Sequence, residues 1–156
     1  MNNIIEKFVT FFNIGKIKFA PGTVGSTIFF FVLYFLFIKL TYLLFLLTFF
    51  IILIISILFI NKYIKDKYEH DPKEVIIDEF LGCYVIFLFF PLIQITNIIN
   101  FLIISFILFR LFDIIKLFPI NLIDKKIKNS FGVIFDDILA GLYTVIVLII
   151  IHGYKI

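Results

Sequence analysis

The sequence has no tryptophan, one cysteine, one methionine, two alanines, and only 16% charged residues over its 156 positions. Soluble domains carry about 25% charged and about 45–50% apolar residues. The scarcity of charge, beside 63% hydrophobic residues and a mean hydropathy of +1.18, therefore excludes a water-soluble globular domain. A single cysteine cannot close an internal disulfide, and the apolar neighbours of Cys83 favour a buried, inert thiol. Bulk takes the place of the missing residues: 35 Ile, 24 Phe and 20 Leu form apolar runs long enough to cross a bilayer. The expectation is an integral membrane protein.

Each crossing needs about 20 apolar residues, so the length allows four to six spans at most. Apolar runs mark five candidate segments, at 24–38, 41–60, 80–95, 98–112 and 137–151. Lys39 and Thr41 separate the first two, and Thr96-Asn97 the next two, which makes each pair a tight hairpin. The fold class predicted is an all-α polytopic bundle with four to five membrane-embedded helices in one domain over residues 1–156. The N-terminus lacks a signal-peptide pattern: Met1-Asn2-Asn3 is uncharged, Lys7 interrupts the apolar stretch, and no small-residue cleavage site follows. Residues 4–12 suit either a short interfacial helix or a first helix packed on the bundle.

In this topology the larger polar stretches, 61–79 and 113–136, fall on one side with the N-terminus. Twelve Lys and Arg residues lie there and two, Lys39 and Lys155, lie opposite. The positive-inside rule makes the crowded side cytoplasmic. All 11 acidic residues are on that same side, although acidic residues contribute little to orientation. Asp66, Glu69, Asp71 and Glu74 suit a wet segment, with Asp71-Pro72 as N-cap and first helical residue and Glu74 at the capping-box position.

Asp78 and Glu79 are different, because a helix begun at Pro72 carries them directly into an apolar run. Asp136 and Asp137 repeat the arrangement at the start of the last span. Carboxylates at that depth are costly and face a bundle interior or cavity; the competing explanation is a helix-start carboxylate favoured by the macrodipole. Arg110 and Asp113 share one helical face, and Lys116 follows three residues on. Hard carboxylate oxygens suit a divalent cation such as Mg²⁺, while Arg and Lys neutralise phosphate charge. The run Ala20-Pro21-Gly22-Thr23-Val24-Gly25-Ser26 predicts a turn into a helix that offers backbone N–H groups and two hydroxyls to a phosphate. Five of the seven glycines (22, 25, 82, 132 and 141) and both alanines lie beside these motifs.

In order, Pro21-Gly22-Thr23-Val24-Gly25-Ser26, Asp78-Glu79-Phe80-Leu81-Gly82, Phe109-Arg110-Leu111-Phe112-Asp113-Ile114-Ile115-Lys116 with Phe118-Pro119 and Asp124, and Gly132-Val133-Ile134-Phe135-Asp136-Asp137-Ile138-Leu139-Ala140-Gly141 resemble the phosphatidylglycerophosphatase A family. The motifs run from residue 20 to residue 141. The resemblance implies Mg²⁺-dependent removal of the terminal phosphate of phosphatidylglycerol phosphate at the bacterial cytoplasmic membrane. The partners it implies are that phospholipid and the bilayer, without nucleic acid. Two positions depart from the family pattern: Lys116-Leu117 stands where Lys-Pro is usual, and Asn129-Ser130-Phe131-Gly132 where the stretch is glycine-rich.

Asp78, Glu79, Asp136 and Asp137 are the metal-binding candidates, with Asp113 and Asp124 as further ligands or as a base orienting the attacking water. Arg110 and Lys116 would hold the phosphate, and Gly22, Thr23, Gly25 and Ser26 would contact it through hydroxyl or backbone groups. Direct attack by a metal-activated water is the expected mechanism. No Cys-x5-Arg or Asp-x-Asp-x-Thr element favours a covalent route, and His70 and His152 stand outside any nucleophile motif. The alternative from another class is a small transporter or ion-conducting protein, whose site belongs near the midplane or in repeated halves. The acidic residues here stop at one face, and no repeat is present.

Overall fold

The computed structural model describes residues 3–67, 72–95 and 97–153, with no strand among them. Helix α1 (Asn3–Val9) lies against the bundle. Four helices are long and apolar enough to cross a membrane: α2 (Pro21–Lys39), α3 (Tyr42–Lys67), α5 (Ile98–Ile115) and α7 (Ser130–His152). Between α3 and α5 runs α4 (Ile77–Leu88), and α6 (Ile120–Lys126) is a short segment before α7. The protein is a polytopic helical membrane protein.

Local chemistry explains where these helices begin. Pro21 opens α2, where its missing N–H costs nothing. Asn97 caps α5 by accepting from the amides of Ile99 and Asn100 at 2.9 and 3.2 Å. Asn129 does the same for α7, accepting from Phe131 and Gly132 at 3.0 and 3.3 Å. α1 takes the second of its two expected settings: Ile5 and Val9 are buried, and Phe8 meets Phe59 of α3 edge-on at 5.2 Å between ring centroids.

Three expectations are corrected. The segment 80–95 is not a spanning helix. α4 is 12 residues long, and 11 of them are buried, so it is an internal rod of about 18 Å enclosed by the longer helices. A helix that touches protein on all sides escapes the length requirement set by lipid, and the non-helical chain beyond it is tolerated where other chain satisfies its backbone. Tyr42 donates from its hydroxyl to the Leu88 carbonyl at 3.2 Å, and the Gln94 amide donates to the Gly153 carbonyl at 3.1 Å. The connection therefore still reaches the end of the bundle where α2 stops and α7 finishes.

The helix drawn from Pro72 starts only at Ile77. Glu74 does not close a capping box, because α3 supplies better partners: the Tyr63 hydroxyl donates to its carboxylate at 2.9 Å, and Lys67 pairs with it. The Lys67 ammonium is the main cause holding the Glu74 carboxyl below its ordinary range. The Ile76 amide donates to the Val9 carbonyl at 3.0 Å, tying this turn to α1. Asp71 and Glu69 lie outside the described residues. Thirdly, α7 begins at Ser130 rather than at 137, which sets Asp136 and Asp137 well inside the helix.

Gly82 on α4 and Gly141 on α7 face each other at a close crossing of the two helices. A Cβ built on Gly141 would stand 2.3 Å from the Gly82 carbonyl oxygen, and one on Gly82 would stand 2.6 Å from the Asp137 carbonyl oxygen. Small residues of this kind let membrane helices approach backbone to backbone.

Candidate active site

The starts of α2 and α4, the first half of α7 and the end of α5 converge at one end of the bundle around an open cavity of about 440 Å³. Asp78, Glu79, Asp113, Asp136 and Asp137 all line it, together with Lys73, Arg110 and Lys116. Asp78, Asp136 and Asp137 are only 6, 6 and 4% exposed. Buried charge persists only when it is paired or solvated within a site.

The charged groups form two linked clusters. On α5, Arg110 donates from Nη1 to Asp113 at 2.7 Å and lies 3.0 Å from the Glu79 carboxylate of α4. Glu79 also accepts the Ser26 hydroxyl of α2 at 2.6 Å. Lys116, just past α5, adopts a left-handed backbone with φ of 48°, and its ammonium meets Asp136 of α7 at 2.7 Å. Asp78 and Asp136 each accept the amide of the following residue at 3.0 Å.

The helix-dipole explanation separates the two acidic pairs. Asp78 and Glu79 lie in the first turn of α4, where the dipole favours carboxylates within about one turn. Asp136 and Asp137 start six residues after Ser130, beyond that reach, so the dipole does not account for them. Asp137 interacts electrostatically with Asp113, Asp136, Asp78 and Glu79, and its carboxylate has no hydrogen bond or ion pair among the described residues. Five carboxylates thus face three basic side chains, Lys73, Arg110 and Lys116. That surplus of carboxyl groups, with their hard oxygens, suits a divalent cation such as Mg²⁺. Among the described residues, no three candidate ligands stand close enough to form a ready-made metal cage.

The run 21–26 is not the turn expected from sequence but the first turns of α2. Gly22 and Thr23 line the cavity. Gly25 packs instead toward Ile76 and Phe29, and Ser26 is fully buried behind Glu79. Asp124 falls on α6, with its side chain outside the described residues. His152 ends α7 at the opposite end of the bundle. Lys73 lines the cavity although its sequence setting, after Pro72 in a polar stretch, marks it only as solvated; its position just before the Asp78-Glu79 pair is the available signal.

Gly22 has a specific task. A Cβ there would stand 2.0 Å from Glu79 Oε1, so the absent side chain leaves room for the carboxylate that Ser26 and Arg110 hold. Gly22→Ala is expected to displace the end of a flexible side chain rather than backbone. Thermal stability should stay near that of wild type, while activity at the cavity should fall by about tenfold or more, as for misplacement of a positioned group. Unfolding and steady-state assays on the same preparation check both.

An all-helical membrane bundle in which buried carboxylates meet arginine and lysine side chains in one polar cavity defines a polytopic membrane protein with a charged site at one end. Residues 7–152 match the profile of the family described as phosphatidylglycerophosphatase A, and the chain belongs to that phosphatase family. It is 33% identical over 154 residues to a phosphatidylglycerophosphatase A of Haemophilus influenzae, covering 99% of this chain and 92% of that one. A phosphatidylglycerophosphatase A of Escherichia coli is 27% identical over 90% of this chain and 79% of its own. A putative phosphatidylinositol-3-phosphatase of Bacteroides thetaiotaomicron is 33% identical over 89% of this chain and 87% of its own. No solved structure matches.

Proposed function

We propose that the protein hydrolyses the terminal phosphomonoester of phosphatidylglycerol phosphate to phosphatidylglycerol and inorganic phosphate, at the cytoplasmic face of a bacterial inner membrane and with Mg²⁺. The observation that carries this reading is the meeting of Arg110 and Lys116 with five carboxylates in one cavity of a helical membrane protein. Family membership supports it, and the excess of basic residues on the cavity side supports the orientation.

Arg110 and Lys116 bind the phosphate oxygens, exchanging carboxylate partners for the substrate. Asp78, Glu79, Asp136 and Asp137 would hold Mg²⁺, which when bound neutralises phosphate charge and acidifies water. Asp113, beside Arg110, orients the attacking water and takes its proton as the new P–O bond forms. The bond from phosphorus to the glycerol oxygen breaks, and that oxygen takes up a proton. Thr23 and the first-turn amides of α2 receive the phosphate at the cavity wall.

The test uses purified protein in detergent micelles, with Mg²⁺ or with chelator, and phosphatidylglycerol phosphate or phosphatidylinositol 3-phosphate as substrate. Mg²⁺-dependent release from the first, reduced by about 10²–10³-fold in Asp136→Asn, is the expected result. Mg²⁺ should also raise the unfolding temperature of wild type, and less so that of the variant. Folded, Mg²⁺-supplied protein that releases no phosphate would overturn the assignment, and preferential release from the inositol lipid would reassign the head group.

A further inference from the structure

An apolar groove of about 350 Å³ lies between α2 and α5 on the lipid-facing side of the bundle, lined by Thr27, Phe30, Phe31, Leu102, Phe106 and Ile107 among others. Phe30 and Phe106 form its floor, their rings edge to face at 6.1 Å between centroids. Phe31, Ile103 and Ile107 form exposed rims, at 67, 53 and 55%.

The groove continues the polar cavity along both helices. On α2, Thr23 lines the cavity, while Thr27 and Phe31, one and two turns further into the bundle, line the groove. On α5, Ile103 and Ile107 line the groove, and Arg110 and Ile114 line the cavity. The positions 103, 107, 110 and 114 share one helical face. Two facing stripes therefore make a single trough that is basic and polar at the membrane boundary and apolar about one helical turn, or about 5.4 Å, deeper.

We propose that this α2–α5 groove holds an acyl chain of the lipid whose phosphate occupies the cavity, so that substrate enters sideways from the leaflet between these two helices. The inference rests on the reading above that the cavity takes a lipid phosphomonoester. The order of surfaces matches such a molecule from head to tail: cations for the phosphate, the Thr23 and Thr27 level for the glycerol region, and phenylalanine and isoleucine for hydrocarbon. The other helix pairings around the cavity are closed, since α4 packs along α2 and α7, and α7 along α5.

Binding is tested without catalysis by placing a photo-crosslinking phenylalanine at Ile103, or at Ile51 on the lipid-exposed face of α3. The protein is reconstituted in phosphatidylcholine vesicles with a minor fraction of phosphatidic acid, a diacyl phosphomonoester. Phosphatidic acid should be captured at 103 above its share of the membrane and at 51 in proportion to it. Equal capture at both sites, or capture of a second copy of this chain at 103, overturns the proposal.

A second measurement compares long-chain with dihexanoyl phosphatidylglycerol phosphate. Ile107→Trp, which fills the groove, should lower the ratio of kcat/KM for long over short chains by about tenfold, and Ile51→Trp should leave it unchanged. An unchanged ratio in folded Ile107→Trp overturns the groove. If wild type hydrolyses neither lipid, the phosphatase reading fails, and the crosslinking result alone decides whether the groove binds lipid.

Discussion

Arg110→Lys is expected to lower phosphate release by about 10²–10³-fold while leaving the bundle folded. The guanidinium reaches two helices at once, with Nη1 lying 3.0 Å from Glu79 on α4 and 2.7 Å from Asp113 on α5. Its Nε is buried and without a hydrogen-bond partner among the described residues. A buried N–H left unpaired asks for an acceptor, and an oxygen of a phosphate in the cavity supplies one. Lysine keeps the charge but offers a point donor in place of a planar fork, so it can neutralise the carboxylates without reproducing that set of contacts.

Arg110→Ala separates the two roles. It leaves the half-buried Glu79 and Asp113 without their shared cation, at a cost of up to about 3–5 kcal/mol, so loss of stability accompanies loss of activity. Denaturant unfolding of both variants beside their kcat/KM distinguishes the outcomes. Wild-type rates in stable Arg110→Lys would remove Arg110 from the phosphate site.

Gly141→Ala is expected to destabilise the protein by about 1–3 kcal/mol or more, because the obstacle is backbone. The added methyl would stand 2.3 Å from the Gly82 carbonyl oxygen, and neither helix has a side chain to move aside. Gly82→Ala should behave alike and also strike Phe109, 2.7 Å from the new carbon. Relief requires α4 and α7 to separate, and these helices carry Asp78-Glu79 and Asp136-Asp137. Activity should therefore fall further than stability alone explains, since about 1 Å of misplacement can cost about 10²-fold. Gly25→Ala is the milder comparison: its Cβ would meet the Ile76 side chain at 3.1 Å. Equal unfolding midpoints for Gly141→Ala and wild type would show that the crossing has room for a methyl group.

Much of this protein is legible along the chain because membranes impose one-dimensional rules. The apolar runs located four spanning helices to within a few residues, apart from the early start of α7 and the end of α3, which runs on to Lys67. The acidic pairs, Arg110 and Lys116 stood out because charge is conspicuous in so apolar a sequence. What misled was the third apolar run. Hydropathy cannot distinguish a helix surrounded by lipid from one surrounded by protein, and α4 is the second kind. The start of α4 was misplaced for a related reason: Glu74 has a helix-capping position in sequence but is held by Tyr63 and Lys67 in space.

The sequence by itself determined the membrane-embedded helical class, the side on which the charges collect and the residue types of the candidate site, since these follow from composition and order. Only the tertiary structure decided which charges meet. Arg110 joins Glu79 to Asp113, Lys116 turns out of α5 to reach Asp136, and Gly22 makes room for Glu79, whereas Gly25 and Ser26 stand behind the cavity wall. These pairings depend on helix rotation and on the close α4–α7 crossing. Rotation and crossing are set by packing among distant segments, which no local pattern encodes.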